Sequence, residues 1–261
     1  MHAKAQCLFR HCAFSMGDLF FMDFQTALAA AQKDCGGKGI GTLGEKTLHL
    51  TLKYLFAPDP DTHERKIGGF VADAVTEDGV VEIQTRSLSR LKPKLAAFLP
   101  LCPVTVVVPV IEHKMLLQIN TDGELLSQRM SPKHESVWTA MREIYLLRSF
   151  LQDPNLEICL CMMNISEYVL QKSKKERLDR VPAALNAVHR LRSPQDYRAL
   201  LPDPVPEIIT SAALGTMLRI SQDTARYYIN LLCHLGCAEE IGRVGRQKQW
   251  RLLCVSENSR G

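Results

Sequence analysis

Residues 66–86 constrain the fold of this chain more than any other stretch, because they have the pattern of a β-hairpin. Two apolar runs flank Asp78-Gly79, and an Asp-Gly pair between such runs is a strong hairpin signal. A two-residue turn at this pair places Asp73 opposite Gln84 and diagonal to Glu82, ~7–8 Å apart between backbones. Since side chains alternate along a strand, Asp73 and Glu82 then share one face of the sheet, and a slip of one residue would separate them.

Carboxylates within these apolar runs require a partner. Burying an unpaired carboxylate is very costly, so each must find a proton, a counter-charge or a metal ion. Carboxylate oxygens together with water are the ligands that suit magnesium or manganese. A third acid, Glu45, opens the segment 44–56, whose apolar residues recur at helical spacing, and it falls on the same stripe as Leu48 and Leu52. Glu45 equally fits a plain helix start, where a carboxylate complements the positive end of the helix dipole.

The predicted elements follow one another in a definite order. They are a helix, a strand, a hairpin, a second helix and an apolar strand, over residues 44–56, 62–67, 66–86, 87–99 and 104–110. This order, with Asp73 and then Glu82-x-Gln84 on the hairpin, resembles the PD-(D/E)xK nuclease superfamily. The resemblance covers approximately residues 40–115. It implies a mixed α/β sheet with the restriction-endonuclease-like αβββαβ core.

The resemblance also implies an activity and a site. The activity is metal-dependent hydrolysis of phosphodiester bonds in nucleic acid, and the favoured expectation is a DNA endonuclease. Mg²⁺ or Mn²⁺ would be held by Asp73, Glu82 and the backbone carbonyl of Ile83. Glu45 would help directly or through water, and Gln84 would orient the attacking water. Because a nuclease that cuts both strands often needs two sites, the analogy extends to a homodimer.

Two departures from the family pattern leave an alternative open. Ala72 precedes Asp73 where the family has proline, and Gln84 stands where the family has lysine. Lys66 and Lys46, on neighbouring elements, are candidates for the missing lysine. The alternative function is that of a DNA-binding or regulatory protein whose nuclease-like domain is a non-catalytic scaffold.

Composition and charge narrow the class of protein. The chain has 261 residues, of which 46% are hydrophobic and 23% charged, as in globular proteins of one or two domains. Its net charge of +4 permits nucleic-acid binding without requiring it. No apolar run is long enough for a transmembrane helix, so no membrane partner is predicted. Nine scattered cysteines without paired CxxC motifs favour reduced, buried thiols in a cytoplasmic protein.

Shifts in composition divide the chain into an N-terminal arm, a nuclease-like domain, a proline-rich linker and a C-terminal domain, over residues 1–22, 23–201, 202–207 and 208–261. The later part of the nuclease-like domain predicts a hairpin turning at Asp122-Gly123, a helix, an apolar strand and a short helix, over residues 114–130, 135–151, 156–165 and 182–191. A basic run at 171–180 fits either a solvated loop or helix surface, or a contact with phosphates.

Residues 208–254 have the pattern of helix, turn, helix and hairpin, with the hairpin tip at 242–248, and resemble a winged helix-turn-helix domain. In that family the second helix enters the major groove and the wing contacts the DNA backbone. Carried over to this chain, the resemblance implies base contacts from the second helix and phosphate contacts from the wing, by Gln222, Arg226 and Tyr227 and by Arg243, Arg246 and Lys248. Many such domains only contact other proteins, and that alternative stays open.

Overall fold

A mixed sheet with helices on both faces is formed by the residues that the computed structural model describes, which are 22–35, 47–85, 87–171 and 176–253. The strands of the main sheet are β1 (His63–Ile67), β2 (Phe70–Thr76), β3 (Gly79–Ile83), β4 (Val104–Ile119), β5 (Leu125–Met130), β6 (Leu156–Leu170) and β7 (Glu176–Leu191). Their order is β1-β2-β3-β4-β6-β7, with β5 paired to β4. β3, β4 and β6 are parallel neighbours and the remaining pairs are antiparallel. The prediction of a mixed α/β fold is therefore confirmed.

Five α-helices accompany this sheet, α1 (Phe24–Asp34), α2 (Thr47–Phe56), α3 (Lys92–Phe98), α4 (Val137–Ile144) and α5 (Pro194–Ala199). Short 3-10 segments precede or follow them at Pro60–Thr62, Leu88–Leu91 and Tyr145–Leu147. The elements from α2 to β4 occur in the predicted order of helix, three strands, helix and strand. The predicted helices over 87–99 and 135–151 are each shortened to an α-helix joined to a 3-10 turn.

Two apolar layers hold the helices against the sheet. β6 is apolar on both sides, so Cys159, Cys161 and Met163 face one layer while Ile158 and Leu160 face the other. The first layer contains the apolar residues of α1 and α2, and the second contains those of α3, α4 and the C-terminal segment. Helices therefore cover both faces of the sheet, and the end of β3 lies between α2 and α3.

The register of the central hairpin differs from the prediction by two residues. Thr76 pairs with Gly79 and Val75 with Val80, so the turn consists of residues 77–78 and Gly79 begins β3. Gly79 has a φ of +127°, and a Cβ there would lie 2.2 Å from the backbone oxygen of Pro103. A side chain at this position would therefore meet the residue that precedes β4. Because the shift is even, Asp73 and Glu82 keep a common face, and they follow the last paired residues, Ala74 and Val81, on their two strands.

Two strands extend further than the sequence predicts, and a third strand replaces a predicted helix. β4 and β6 continue in parallel to Ile119 and Leu170, and β7 pairs with β6 over nearly its whole length. The prediction of a short helix within 182–191 is wrong, because the apolar strand β6 requires a partner along its edge. Within the basic run at 171–180, residues 176–180 begin β7 and are therefore neither a loop nor a helix.

The C-terminal segment forms a second, three-stranded antiparallel sheet with two helices. Its elements are β8 (Ile208–Ile209), α6 (Ser211–Leu218), α7 (Gln222–His234), β9 (Ala238–Val244) and β10 (Gln247–Leu252), and the strand order is β8-β10-β9. Thr210 caps α6, where the sequence allows either Thr210 or Ser211, and Ser221 caps α7 as its position predicts. The hairpin tip is shorter than predicted, because Gly245, at a φ of +60°, permits a two-residue turn.

α7 packs against the main body of the protein. The hydroxyl of the buried Tyr228 donates to the backbone oxygen of Tyr197 at 2.6 Å, and the apolar residues of α7 belong to the same layer as α3 and α4. The division into two domains at 202–207 stays a prediction. Most of the predicted arm, residues 1–21, lies outside the described residues.

The described cysteines are free thiols, and four of the six are buried. Burial raises the pKa of Cys161 to about 12. None of the described helices combines the length and the apolar character that crossing a membrane requires.

Candidate functional site

A cleft of about 290 Å³ opens at the C-terminal end of β3, between α2 and α3. Its lining comes from both helices and from both strands of the central hairpin, and consists of His49, Asp73, Glu82, Ile83, Gln84, Thr85, Arg90, Leu91 and Lys94. The predicted carboxylate pair therefore lies in a concave site that other charged side chains share.

Asp73 and Glu82 link β2 to β3 where the backbone pairing ends. The last paired residues are Ala74 and Val81. Beyond them the backbone amide of Asp73 donates to Oε1 of Glu82 at 3.3 Å, and the amide of Ile83 donates to Oδ2 of Asp73 at 2.7 Å. Each carboxylate thus accepts a bond from the opposite strand, which orients both side chains towards the cleft.

His49 supports Asp73 from the other side. It belongs to the first turn of α2, and its Nε2 lies 3.3 Å from Oδ2 of Asp73. The side chains of both residues are less than one-fifth exposed. The imidazole and the amide of Ile83 therefore meet at the same carboxylate oxygen.

Lys94 supports Glu82. α3 buries Leu95 and Phe98, and Lys94 lies at the edge of that stripe, one residue before Leu95. Its Nζ lies 2.9 Å and 2.8 Å from the two carboxylate oxygens of Glu82. The side chain of Glu82 is only 2% exposed, so this ion pair is largely shielded from solvent.

The environments of the two carboxyls shift their pKa values in opposite directions. Burial alone would raise the pKa of Asp73, but the hydrogen bond and charge of His49, with the Ile83 amide and Lys94, hold it below its ordinary value. Burial, followed by repulsion from Asp73, raises the pKa of Glu82, although Lys94 opposes this shift. Opposed shifts in one cleft are typical of groups with separate roles in proton transfer or metal binding.

Replacing Lys94 by glutamine is expected to raise the pKa of Glu82 further, because the change removes the ammonium that opposes burial and the charge of Asp73. The measurement is an NMR titration of the Glu82 carboxyl carbon in the wild type and the variant. The matched control is Lys92→Gln, which changes an exposed side chain of the same helix and leaves the titration in place. An unchanged Glu82 titration in Lys94→Gln would contradict the assignment.

The remaining predicted active-site residues are placed as follows. Ile83 lines the cleft, and its amide holds Asp73. Gln84 also lines the cleft, but its side-chain amide donates to the backbone oxygen of Ser87 at 2.7 Å. Lys66 is exposed on β1 and does not line the cleft. Glu45 and Lys46 lie outside the described residues.

Sequence reasoning missed His49 and Lys94. Neither stands out by spacing, since one is a polar residue next to an apolar stripe and the other is one of two lysines in Lys92-Pro93-Lys94. The available signal for Lys94 was its place on the helix directly after the hairpin. Within the described ranges, no group of three or more His, Cys, Asp or Glu side chains is arranged to hold a metal ion.

The predicted nucleic-acid contacts lie on the C-terminal segment. Gln222 and Arg226 are exposed on the first turns of α7, where Arg226 pairs with Asp223. Tyr227 instead packs against α4 and the turn after it, with Arg142 5.5 Å above its ring. On the β9–β10 hairpin Arg243 and Arg246 are exposed, whereas Lys248 pairs with Glu240 at 2.7 Å.

Comparisons with known proteins place this mixed α/β chain in a family. Residues 46–192 match the family described as Domain of unknown function (DUF8091), and the chain belongs to that family. An "Uncharacterized protein" of Treponema pallidum (strain Nichols) is 30% identical over 224 residues, which cover 81% of this chain and 87% of the relative. No solved structure matches. The family range contains the whole cleft and ends with β7, so the C-terminal segment lies outside it.

Proposed function

We propose that this protein is a metal-dependent nuclease that hydrolyses phosphodiester bonds of DNA at the cleft between α2 and α3. The observation that carries the proposal is the pair Asp73 and Glu82, whose carboxylates meet at the end of β3 with pKa values shifted in opposite directions. The element order from α2 to β4 supports a restriction-endonuclease-like core. In such a core, Asp73 and Glu82 would correspond to the two acids of the PD-(D/E)xK motif.

The charge balance of the cleft fits a divalent cation. Lys94 supplies a positive charge beside Glu82, yet burial and repulsion from Asp73 still raise the pKa of Glu82. Magnesium or manganese would offset the repulsion between the two carboxylates, and magnesium is commonly held by one or two protein carboxylates with water and substrate phosphates. Asp73, Glu82 and the carbonyl of Ile83 would hold it, with Glu45 as a further ligand. The bound ion would activate a water and stabilise charge on the scissile phosphate.

The chain's own residues then have distinct tasks. His49 and the Ile83 amide keep Asp73 ionised, which preserves it as an oxygen ligand. Lys94 carries a positive charge where a phosphate would approach Glu82. We propose that it takes the role of the lysine in the PD-(D/E)xK motif, whose position is occupied by Gln84 in this chain. Arg90, which is exposed at the rim of the cleft, would contact a neighbouring phosphate.

The C-terminal segment would deliver the DNA. Its order of β8, α6, α7, β9 and β10 supports a winged helix-turn-helix domain. Gln222 and Arg226 at the start of α7 would reach base edges, and Arg243 and Arg246 would reach phosphates. Tyr227 would act indirectly, since its ring contacts Arg142 and Tyr145, and Lys248 would have to exchange its partner Glu240 for a phosphate.

The test is cleavage of supercoiled plasmid and labelled linear duplex with magnesium or manganese, with EDTA as the control for metal dependence. The proposal expects products only with metal, and a melting temperature that rises with metal concentration, because an ion that binds only the native state stabilises it by mass action. Absence of cleavage on plasmid, duplex and branched DNA, together with no metal-induced stabilisation, would overturn it.

Two contacts favour a second function, that of a DNA-binding regulator with a non-catalytic core. Lys94 lies within hydrogen-bonding distance of both oxygens of Glu82, so an internal cation already occupies that carboxylate. The amide of Gln84 is committed to Ser87. This function predicts DNA binding without cleavage, and binding that weakens in Arg226→Ala, in the same experiment.

A further inference from the structure

A second cleft, of about 310 Å³, lies at the far end of the main sheet. We call it the β5 cleft, and define it by its charged lining residues Lys114, Arg129, Glu167 and Arg177, which come from β4, β5, β6 and β7. The apolar residues Leu116, Leu117 and Val169 form part of its floor. Four different strands thus contribute to one concave surface.

Glu167 organises the cations of the β5 cleft. Its side chain is 6% exposed, and Nε of Arg177 and Nε of Arg180 each lie 3.1 Å from Oε2. Lys114 lies 3.5 Å from Oε1. Burial raises the pKa of Glu167, but the charges of Arg177, Lys114 and Arg180 outweigh it, so the pKa lies below its ordinary value. One buried carboxylate therefore fixes the positions of three cations.

The positive charge around Glu167 exceeds the negative charge. Arg129 lines the same cleft, is exposed, and makes no ion pair with any residue in the described ranges. Arg129 on β5 and Glu167 on β6 both pair with Leu116 of β4, so Arg129 lies two strands away from the carboxylate. Even with Asp179, which lies beside Arg180, four cations face two carboxylates, and both arginines at the rim are accessible.

The β5 cleft is connected to the proposed active site through α2 and β4. Thr47 begins α2, and it donates to the carboxylate of Asp179 on β7 through its hydroxyl at 2.5 Å and through its backbone amide at 3.2 Å. His49, in the same helical turn, contacts Asp73. Along β4, the partners of Glu82 and Glu167 are ten residues apart, Val106 and Leu116. That separation corresponds to roughly 30 Å of extended strand.

We infer that the β5 cleft binds phosphates of the nucleic-acid backbone at a position separate from the carboxylate pair. Surplus cations on a rigid sheet, with guanidinium groups that pair with phosphate oxygens, form the complementary surface. The inference rests on the proposed function for the choice of nucleic acid, and it adds a second contact that positions the duplex without reading its sequence.

The test uses the full chain, in EDTA, and a labelled DNA duplex two helical turns long. Fluorescence anisotropy gives the affinity of the wild type and of Arg129→Gln, Arg177→Gln and the double variant between about 50 and 200 mM salt. The slope of log affinity against log salt is expected to fall by about 0.9 for each arginine replaced. Arg65→Gln, an exposed strand arginine on β1 at the opposite edge of the sheet, is the matched control and keeps the wild-type slope. Melting temperatures establish that the variants are folded.

Cleavage of the same duplex with magnesium separates this inference from the proposed function. A reduced slope in the double variant supports phosphate binding at the β5 cleft even if the wild type does not cut, a result that would overturn only the nuclease proposal. A wild-type slope in the folded double variant overturns phosphate binding at the β5 cleft and does not affect the nuclease proposal. The inference is also overturned if the wild type does not bind the duplex but binds inorganic phosphate, and Arg129→Gln abolishes that binding. The ligand of the β5 cleft would then be a small anion.

Discussion

Asp73→Asn and Glu82→Gln are each expected to lower the rate of metal-dependent DNA cleavage roughly 10³-fold. Both changes keep the size and shape of the side chain and remove one negative charge. Asparagine at 73 keeps one oxygen that can accept from Ile83 but loses the charge that faces His49, and glutamine at 82 loses the charge that faces Lys94. The measurement is the initial rate of cleavage of a labelled duplex at saturating magnesium, with the melting temperature determined for each variant.

The same hairpin supplies the control for this prediction. Asp78→Asn makes the same chemical change at an exposed residue of the β2–β3 turn, outside the cleft, and is expected to cut at the wild-type rate. Equal losses in Asp78→Asn and Asp73→Asn would mean that net charge, not the cleft, governs the rate. Undiminished cleavage in both cleft variants would place the active site elsewhere.

Gly79→Ala is expected to lower the free energy of unfolding by about 3 kcal/mol or more. The added Cβ would lie 2.2 Å from the backbone oxygen of Pro103, and the φ of +127° is a conformation that alanine rarely adopts. Relief requires movement at the start of β3, where the amide of Val80 donates to the same oxygen. Because β3 carries Glu82, we expect the carboxylate site to loosen as well. Urea denaturation monitored by circular dichroism measures the loss.

A second Asp-Gly pair provides the comparison for Gly79. Gly123 has a φ of +85° and no heavy atom within 4 Å of an added Cβ. Gly123→Ala is therefore expected to lower the free energy of unfolding by only about 1 kcal/mol, from the backbone conformation alone. Equal losses in the two variants would show that contact with Pro103 does not determine the position of β3.

Local sequence was sufficient for the carboxylate pair and for most of the elements around it. The alternation of apolar and acidic residues placed Asp73 and Glu82 on one face, and an even error in register left that result intact. The cap at Ser221 was also predictable, and the cap of α6 was predictable to within one residue, because a helix start depends on neighbours within four residues. These predictions rest on interactions that a few adjacent residues complete by themselves.

The local structures predicted for residues 176–180 and 182–191 were wrong because long-range strand pairing determines the structure there. The segment 182–191 contains residues compatible with a helix, but β6 offers it an edge to pair with, and tertiary context outweighs local preference. The same pairing turned the basic run after residue 175 into a strand whose Arg177 and Arg180 gather at Glu167. No local pattern around either arginine indicates that partner.

By itself, the sequence determined that two acids share a strand face and that helices and strands alternate in a mixed α/β order. The tertiary structure alone decided which charges meet those acids. His49 and Lys94 reach Asp73 and Glu82 from two helices on opposite faces of the sheet, 24 and 12 residues away along the chain. Such partners depend on how helices pack over a strand end, and a spacing pattern within one element carries no information about that packing.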